Sequence, residues 1–297
     1  MMIDKRFAVA AVAASLMAAS ACETFSGDGA YDADAEASPT VDVEKLQAVI
    51  EARSDADKMR DDARRPAETL SFFGVAPDMT VVEALPGGGW YSRVLIPYLD
   101  ESGRYAAANY QYEMFPKILP NPTDDVLSQL RGWSDAFPVQ AKQWGASGDV
   151  AAFEFGQAPE EMKGTVDVVL MVRALHNFNR AGGDFGAEAL SESYALLKPG
   201  GVLGVVQHAA PAGAEGRNAD GSFGYMLKQN VVAMATAAGF VLEAESAINA
   251  NPADLPEDGD IVWRLPPSFA FGDKDRDAYV AIGESNRMTL RFRKPAE

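Results

Sequence analysis

The stretch that most constrains the fold is residues 81–91, which read Val-Val-Glu-Ala-Leu-Pro-Gly-Gly-Gly-Trp-Tyr. An apolar, β-branched start, then a proline, three glycines and two aromatic residues predict a strand, a tight turn and a helix. Glycine permits positive φ and close approach of a ligand, and the helix points free N–H groups into the same gap. In doubly wound α/β domains, nucleotide-like ligands bind at this place. The spacing is not Gly-x-Gly-x-x-Gly, so it does not favour a dinucleotide.

The rest of the chain alternates between predicted strands and helices. Residues 166–172 and 202–207 are almost continuously apolar, as expected for parallel strands covered on both faces. Further strands are predicted at 79–84, 105–109, 139–144, 239–242 and, as an antiparallel edge strand, 288–293. This pattern predicts an α/β, Rossmann-like, doubly wound mixed seven-stranded sheet with N-terminal helices. The insertion at 246–287 is expected to be a lid, a binding loop or a disordered segment.

The N-terminal residues predict export. Lys5 and Arg6 precede an apolar run that is too short to span a bilayer, which is typical of a signal peptide over residues 1–21. Cys22, the only cysteine, follows Ala-Ser-Ala, which fits an ordinary cleavage site and also resembles a bacterial lipobox with a lipidated Cys22. Residues 22–42 predict a flexible acidic linker, and residues 43–297 a single domain. The expected location is the periplasm, either free or anchored to the outer membrane.

The charge of the chain excludes some partners. The sequence has 43 acidic and 26 basic residues, a formal net charge of −17. A chain this acidic is a poor match for nucleic acid or for an anionic lipid surface, because both need Lys and Arg. An acidic substrate would therefore need a local basic patch.

The glycine loop, with Glu83 before it, resembles the first motif of class I S-adenosylmethionine (SAM)-dependent methyltransferases. The turn Leu-Lys-Pro-Gly-Gly at 197–201 is similar to one that is frequent in that fold. A narrower resemblance, to uncharacterised exported bacterial proteins predicted to be methyltransferases, is carried by residues 86–91, 173–177, 197–208, 263–269 and 287–290. The resemblance implies SAM as the cofactor.

The same resemblance implies a cofactor site. Its predicted residues are Glu83, Pro86, Gly87, Gly88, Gly89, Asn109 and Asp149. Glu83 would orient the loop or the amino-acid end of SAM, and Asp149 resembles the acid that often contacts the adenine amino group. Asn109 departs from the family, which usually has an acid there for the ribose hydroxyls, and a neutral amide lacks charge-assisted strength. The alternative for the loop is a purely structural turn.

Both histidines follow predicted buried strands, at the edge of the sheet where active sites lie. Histidine near its ordinary pKa can remove a proton from an oxygen or nitrogen nucleophile, so His176 and His208 are candidate catalytic residues. Arg173 is a third, because it could hold an acidic group of a substrate. The alternatives are histidines hydrogen-bonded in loops and an arginine in an ordinary ion pair. No His-x-His or His-x-x-x-His spacing indicates a metal site.

Two functions fit these observations. The first is a SAM-dependent methyltransferase that acts on an unidentified small molecule or envelope acceptor. The second is a non-catalytic envelope lipoprotein of the same fold that binds another small ligand or a partner, motivated by export away from the site of SAM synthesis. Methyl transfer depends mainly on positioning, so the lack of an obvious acid–base pair does not argue against an enzyme. The sequence predicts neither the methyl acceptor nor the oligomeric state.

Overall fold

The computed structural model describes residues 40–99, 101 and 103–296. The predicted signal peptide, Cys22 and most of the predicted linker lie outside the described residues. None of the helices within the described ranges is both long and apolar enough to cross a membrane.

The described residues are built around a seven-stranded mixed sheet. The strands are β1 (Thr80–Ala84), β2 (Arg104–Asn109), β3 (Ala151–Glu154), β4 (Val166–Val172), β5 (Leu197–His208), β6 (Val241–Ser246) and β7 (Arg287–Arg293). Their order is β3-β2-β1-β4-β5-β7-β6, with β7 antiparallel to both neighbours and β1 to β5 parallel. The strand order reverses between β1 and β4, which is where open α/β sheets bind ligands. This topology confirms the predicted fold class.

Helices cover both faces of the sheet. They are α1 (Val43–Ala52), α2 (Asp55–Lys58), α3 (Asp61–Arg64), α4 (Pro66–Phe73), α5 (Ser92–Leu99), α6 (Phe115–Ile118), α7 (Asp124–Arg131), α8 (Trp133–Gln143), α9 (Leu175–Ala181), α10 (Phe185–Leu196), α11 (Lys228–Ala237) and α12 (Arg276–Ile282). Buried residues of α1, α4, α5 and α8 form one apolar cluster with the sheet, and those of α6, α9, α10 and α11 form another. Because both faces are covered, β4 is apolar along most of its length.

One predicted strand is wrong. Residues 139–144, predicted as the third strand, lie mostly in α8. Phe137 and Ala141, four residues apart, are the buried residues of that helix, a helical spacing rather than an alternating one. The third strand is Ala151–Glu154, after the Gly148 turn.

The insertion between β6 and β7 packs on the domain. Arg264 is 2% exposed, its Nη2 lies 2.9 Å from Asp254 Oδ1, and its Nη1 donates to the Tyr225 hydroxyl at 2.6 Å. Asn249 Nδ2 donates to the Thr69 and Thr289 hydroxyls, both at 3.0 Å. These bonds give Arg264 a structural role. They also hold the insertion against the carboxyl edge of the sheet.

Candidate functional site

A cavity of about 730 Å³ opens at the carboxyl ends of β1, β2, β4 and β5, on the switch point of the sheet. This volume is in the range of small-molecule sites. Its lining residues fall into two groups. The glycine-loop half comprises Pro86, Gly87, Gly88, Asn109 and Tyr110. The arginine half comprises Arg60, Arg64, Arg173, His176, His208, Glu284 and Ser285.

The loop after β1 presents its backbone to the cavity. Gly87 has φ +55°, and a Cβ added at Gly88 would meet no atom within 4 Å. Gly89 has a packing reason instead: φ is +75°, and a Cβ there would lie 2.2 Å from the Trp144 indole. The three glycines therefore have different roles: Gly87 and Gly88 lie beside open space, whereas Gly89 allows the Trp144 ring to pack closely.

Glu83 lies beneath the glycine loop and does not line the cavity. It is 5% exposed, and its Oε2 accepts hydrogen bonds from Ser92 Oγ and the Tyr105 hydroxyl, both at 2.7 Å. Burial raises the pKa of Glu83 to about 7, and the two hydrogen bonds only partly oppose that rise. In this geometry Glu83 joins the start of α5 to β1 and β2. Direct contact with a cofactor stays a prediction.

The acids and amides near β2 and β3 occupy opposite ends of those strands. Asn109 ends β2, is 8% exposed and lines the cavity, with its Oδ1 accepting the Tyr110 N–H at 2.9 Å. Asp149 is exposed, precedes the amino end of β3 and lines a separate concavity. The acid at the carboxyl end of β3 is Glu154, which pairs in register with Asn109. The misplaced third strand is why the sequence did not single out Glu154.

The structure brings the two histidines together, as their predicted places at the sheet edge require. Their ring centroids are 5.3 Å apart, and the Trp263 ring lies 5.8 Å from that of His176. His176 Nδ1 lies 3.3 Å from Gln207 Oε1, while Gln207 Nε2 donates to the Gly224 carbonyl at 2.9 Å. Since an amide oxygen only accepts, Nδ1 is the protonated nitrogen of His176 and Nε2 is the acceptor.

Burial dominates the charge state of both rings. It lowers the pKa of His176 to about 3, with smaller contributions from the positive Arg180 and Arg173. It also holds the pKa of His208 well below its ordinary value, helped by His176 and Arg173. His208 Nδ1 lies 2.5 Å from the Ser285 hydroxyl. Both histidines are therefore neutral at pH 7.

Arg173, directly after β4, has an uncommon conformation. Its φ is +58°, and Leu85, directly after the neighbouring β1, has φ +59°. Non-glycine residues rarely adopt this region, at a cost of roughly 1–3 kcal/mol each, and such residues concentrate at functional sites. Both flank the cavity, so backbone strain coincides with the switch point of the sheet.

Sequence reasoning missed the remaining members of the arginine half. Arg60 and Arg64 come from the N-terminal helical segment, and Glu284 and Ser285 come from the insertion. Arg60 Nε donates to Glu284 Oε1 at 2.6 Å, and Arg64 Nε lies 3.4 Å from the same oxygen. The available signal was the arginine-rich stretch at 60–65, but a single sequence does not show that it meets residue 284. In the described ranges, no three His, Cys, Asp or Glu residues are placed to hold a metal ion.

Comparisons with known proteins bear on the fold. No protein-family model and no curated protein matches the chain. A SAM-dependent methyltransferase from Aquifex aeolicus is 14% identical, with a TM-score of 0.47 over 86% of this chain and 100% of the other. A 1,6-didemethyltoxoflavin-N1-methyltransferase from Burkholderia thailandensis, solved with S-adenosylhomocysteine, is 14% identical, with a TM-score of 0.44 over 85% and 88%.

A candidate sarcosine dimethylglycine methyltransferase from Galdieria sulphuraria is 13% identical, with a TM-score of 0.50 over 84% of this chain and 90% of the other. At such identities the likeness concerns the fold and not the substrate. Taken with the strand order, it shows that the chain has the Rossmann-like fold of class I SAM-dependent methyltransferases.

Proposed function

We propose that the chain is a SAM-dependent methyltransferase that acts on a small-molecule or envelope acceptor. The observation that carries this proposal is one continuous cavity that runs from the glycine loop across the switch point to the ends of β4 and β5. Such a cavity can hold a cofactor and an acceptor side by side, and methyl transfer requires that arrangement. The class I methyltransferase fold supports the same conclusion.

The glycine-loop half fits SAM. Gly87 and Gly88 leave the backbone open to the amino-acid end of the cofactor, and Asn109 stands at the end of β2 where ribose hydroxyls would bind. Phe115 and Trp133 line the same cavity and offer aromatic surfaces to a purine. When bound, SAM supplies a methyl group on a sulfonium, which is a good leaving group.

The protein's own contribution in the arginine half is to position the acceptor. A neutral His176 with a free Nε2 can accept a hydrogen bond from an O–H or N–H nucleophile and so orient its lone pair. With the pKa of His176 lowered to about 3, full proton removal by this ring is unfavourable at pH 7. We therefore assign His176 an orienting role, next to His208 and Arg173.

We also propose that the chain is exported. The predicted signal peptide at 1–21 supports this, and the linker from residue 22 to residue 42 would separate the domain from a lipidated Cys22. Mass spectrometry of the mature N-terminus distinguishes an acylated Cys22 from ordinary cleavage. An unprocessed N-terminus would contradict export.

Calorimetric titration of S-adenosylhomocysteine into the purified chain tests the cofactor. We expect binding, and about tenfold or greater loss of affinity in Gly88→Val, because the added side chain would occupy the cavity. Gly148→Val is the matched control: neither glycine has positive φ, and a Cβ at either meets nothing within 4 Å, but Gly148 lies outside this cavity. Absence of binding by the unmodified chain at high micromolar ligand would refute the proposal.

A further inference from the structure

The arginine half concentrates positive charge inside a very acidic protein. Four guanidinium groups form the arginine cluster around one carboxylate, that of Glu284. Arg60, Arg64 and Arg287 form ion pairs with it, and Arg173 is near enough to interact with it electrostatically. Four positive charges against one negative charge leave a local excess of three, while the whole chain carries −17. Surface charge of the ordinary kind does not explain this inversion, because Arg64 and Arg287 are only 2% and 3% exposed.

Two members of the cluster have buried donors that no acceptor in the protein faces. Arg64 Nη1 and Arg173 Nε have no hydrogen-bond partner, and both residues line the cavity. Arg60 Nη2 and Arg64 Nε also lack hydrogen bonds, but they lie 2.6 and 3.4 Å from Glu284 Oε1. Arg287 differs, because it donates to the Ala63 carbonyl at 2.5 Å, to the Ser285 carbonyl at 3.2 Å and to Glu284 Oε2 at 3.2 Å. A buried guanidinium without an acceptor is costly, so the unused donors mark the place where an acceptor is missing.

Other carboxylates near the cluster are already paired. Asp57 lies 2.9 Å from Arg93 Nε, and Asp61 accepts two hydrogen bonds from Arg53 Nη2 at 2.5 and 2.7 Å. Burial lowers the pKa of Arg64 to about 9 and that of Arg173 to about 10, and the neighbouring arginines add to the shift. The protein alone therefore leaves the cluster undercompensated.

Bound SAM would not supply the missing negative charge. Its sulfonium and ammonium are positive and its carboxylate is negative, so the cofactor adds one net positive charge. With SAM in place the excess in the cavity would grow from three to four. Full charge compensation therefore requires a further anion, which the other reactant can bring.

The position of the cluster agrees with this assignment. Arg173 directly follows β4, three residues before His176, and His208 ends β5 beside Ser285. Because β1 separates β2 from β4 and β5 in the sheet, these groups lie apart from Asn109 at the end of β2, where the ribose of a cofactor is proposed to lie. Trp263 and Pro266 wall the same half and provide apolar surface next to the charge.

We propose that the arginine cluster binds a carboxylate or phosphate group of the methyl acceptor. This inference rests on the proposed function for the identity of the ligand as an acceptor. The bound anion would accept hydrogen bonds from Arg64 and Arg173, and its charge would offset the excess around Glu284. A neutral acceptor would leave the positive charge of the cluster without compensation, and the donors of Arg64 and Arg173 without a charged acceptor.

Inorganic phosphate is the probe for the site. Calorimetric titration into the full chain should show binding at millimolar concentration or tighter, both alone and with saturating S-adenosylhomocysteine. Arg173→Gln and Arg64→Gln should each weaken phosphate by about tenfold or more, since each removes a charged donor. Arg53→Gln is the matched control. Arg53 stacks on the Trp90 ring as Arg64 does, at 4.8 and 4.4 Å, and its Nη1 also has no hydrogen-bond partner, but Arg53 pairs with Asp61 and does not line the cavity. If Arg64→Gln does not fold, the phosphate affinity of Arg173→Gln still tests whether the cluster binds the anion.

A second arm separates the acceptor's anion from the carboxylate of the cofactor. 5′-Methylthioadenosine has the nucleoside and thioether of the cofactor product but lacks its amino-acid carboxylate. If Arg173→Gln weakens S-adenosylhomocysteine but not methylthioadenosine, or if S-adenosylhomocysteine displaces phosphate, the cluster serves the cofactor and the inference fails. Absence of phosphate binding by the unmodified chain also overturns it. Arginine-dependent phosphate binding without any binding of S-adenosylhomocysteine would keep the anion site and refute methyl transfer instead.

Discussion

The two halves of the cavity treat buried charge in opposite ways. Beneath the glycine-loop half, the carboxylate of Glu83 is enclosed by two hydroxyl donors, and burial raises its pKa to about 7. In the arginine half, donors outnumber acceptors, and Glu284 faces several guanidinium groups that together hold its pKa below the ordinary value despite its burial. The first half is electrostatically complete without a ligand, and the second is not.

The glycine-loop half is therefore held in place by contacts within the fold, whereas the charge of the arginine half calls for a ligand. Glu83, Ser92 and Tyr105 tie β1, β2 and α5 together, so the glycine loop is positioned by contacts within the sheet. Arg64, Arg173 and Glu284 come from three distant parts of the chain, and their charges balance only with a further anion. The shape of the first half therefore follows from the fold, whereas the charge of the second depends on what it binds.

The largest expected effect follows from removing the one acid of the arginine half. Glu284→Gln should lower the free energy of unfolding by about 3–5 kcal/mol, because it leaves buried arginines without a partner charge. Urea denaturation measures the loss, and millimolar phosphate should restore part of it. Glu243→Gln is the control: Glu243 pairs with Arg291 and Arg293 but is about one-third exposed, so its loss should cost less than about 1 kcal/mol. Equal losses in the two variants would show that the cluster is not undercompensated.

Replacing Glu83, the acid beneath the glycine-loop half, should raise the free energy of unfolding at high pH instead of lowering it. The folded pKa of Glu83, about 7, lies above its ordinary value of 4.5, so its contribution to stability is full below pH 4.5 and is lost as the pH rises to 7 and beyond. That loss approaches about 3 kcal/mol. Glu83→Gln should therefore raise the unfolding free energy at pH 8, less what the weaker amide acceptor gives up to Ser92 and Tyr105. At pH 4 the variant should show no gain.

The comparison is read from urea denaturation at several pH values. A stabilised Glu83→Gln that still binds S-adenosylhomocysteine would mark Glu83 as a structural link between β1 and α5. Lost binding in a stable variant would instead support the predicted contact with the cofactor.

The histidines of the arginine half give a pH dependence of the opposite sign. The pKa of His176 is about 3 when folded against 6.5 ordinarily, so the unfolded chain takes up a proton that the folded protein refuses. Stability present above pH 6.5 is lost as the pH falls toward 3, and His176 accounts for about 2 kcal/mol of loss at pH 5. His176→Gln should flatten the fall in unfolding free energy between pH 7 and pH 5. An unchanged slope would mean that His176 is charged in the folded protein.

Most of the sheet was predictable because it depends on local patterns. Covered parallel strands are continuously apolar, so β4 was placed at its observed bounds, and the glycine run located the ligand edge. The third strand was misplaced because residues 139–144, Val-Gln-Ala-Lys-Gln-Trp, mix apolar and polar residues in a pattern too short to show its period. The structure shows that Phe137 and Ala141 are the buried residues, and their spacing of four is helical.

Only those site residues that lie at the ends of predicted strands could be predicted from the sequence. His176, His208 and Arg173 each end a strand or follow one, so topology alone places them together. Arg64 and Glu284 are 220 positions apart, and no local pattern in a single sequence links the N-terminal helices to the insertion. The charge balance that defines the arginine half is therefore a tertiary property.

The smallest expected effect tests which polar residue near the glycine-loop half contacts the nucleoside of the ligand. Asn109 ends β2 beside the cavity, whereas Asp149 is exposed before the amino end of β3 and lines a separate concavity. Asn109→Ala should weaken S-adenosylhomocysteine severalfold, the usual result of losing one neutral hydrogen bond, and Asp149→Ala should change it less than about twofold. Because Asn109 pairs in register with Glu154, the Asn109→Ala variant needs a check of its unfolding free energy. The reverse ranking in calorimetry would place the adenine near Asp149 and would mean that the ligand crosses the sheet edge differently from the proposal.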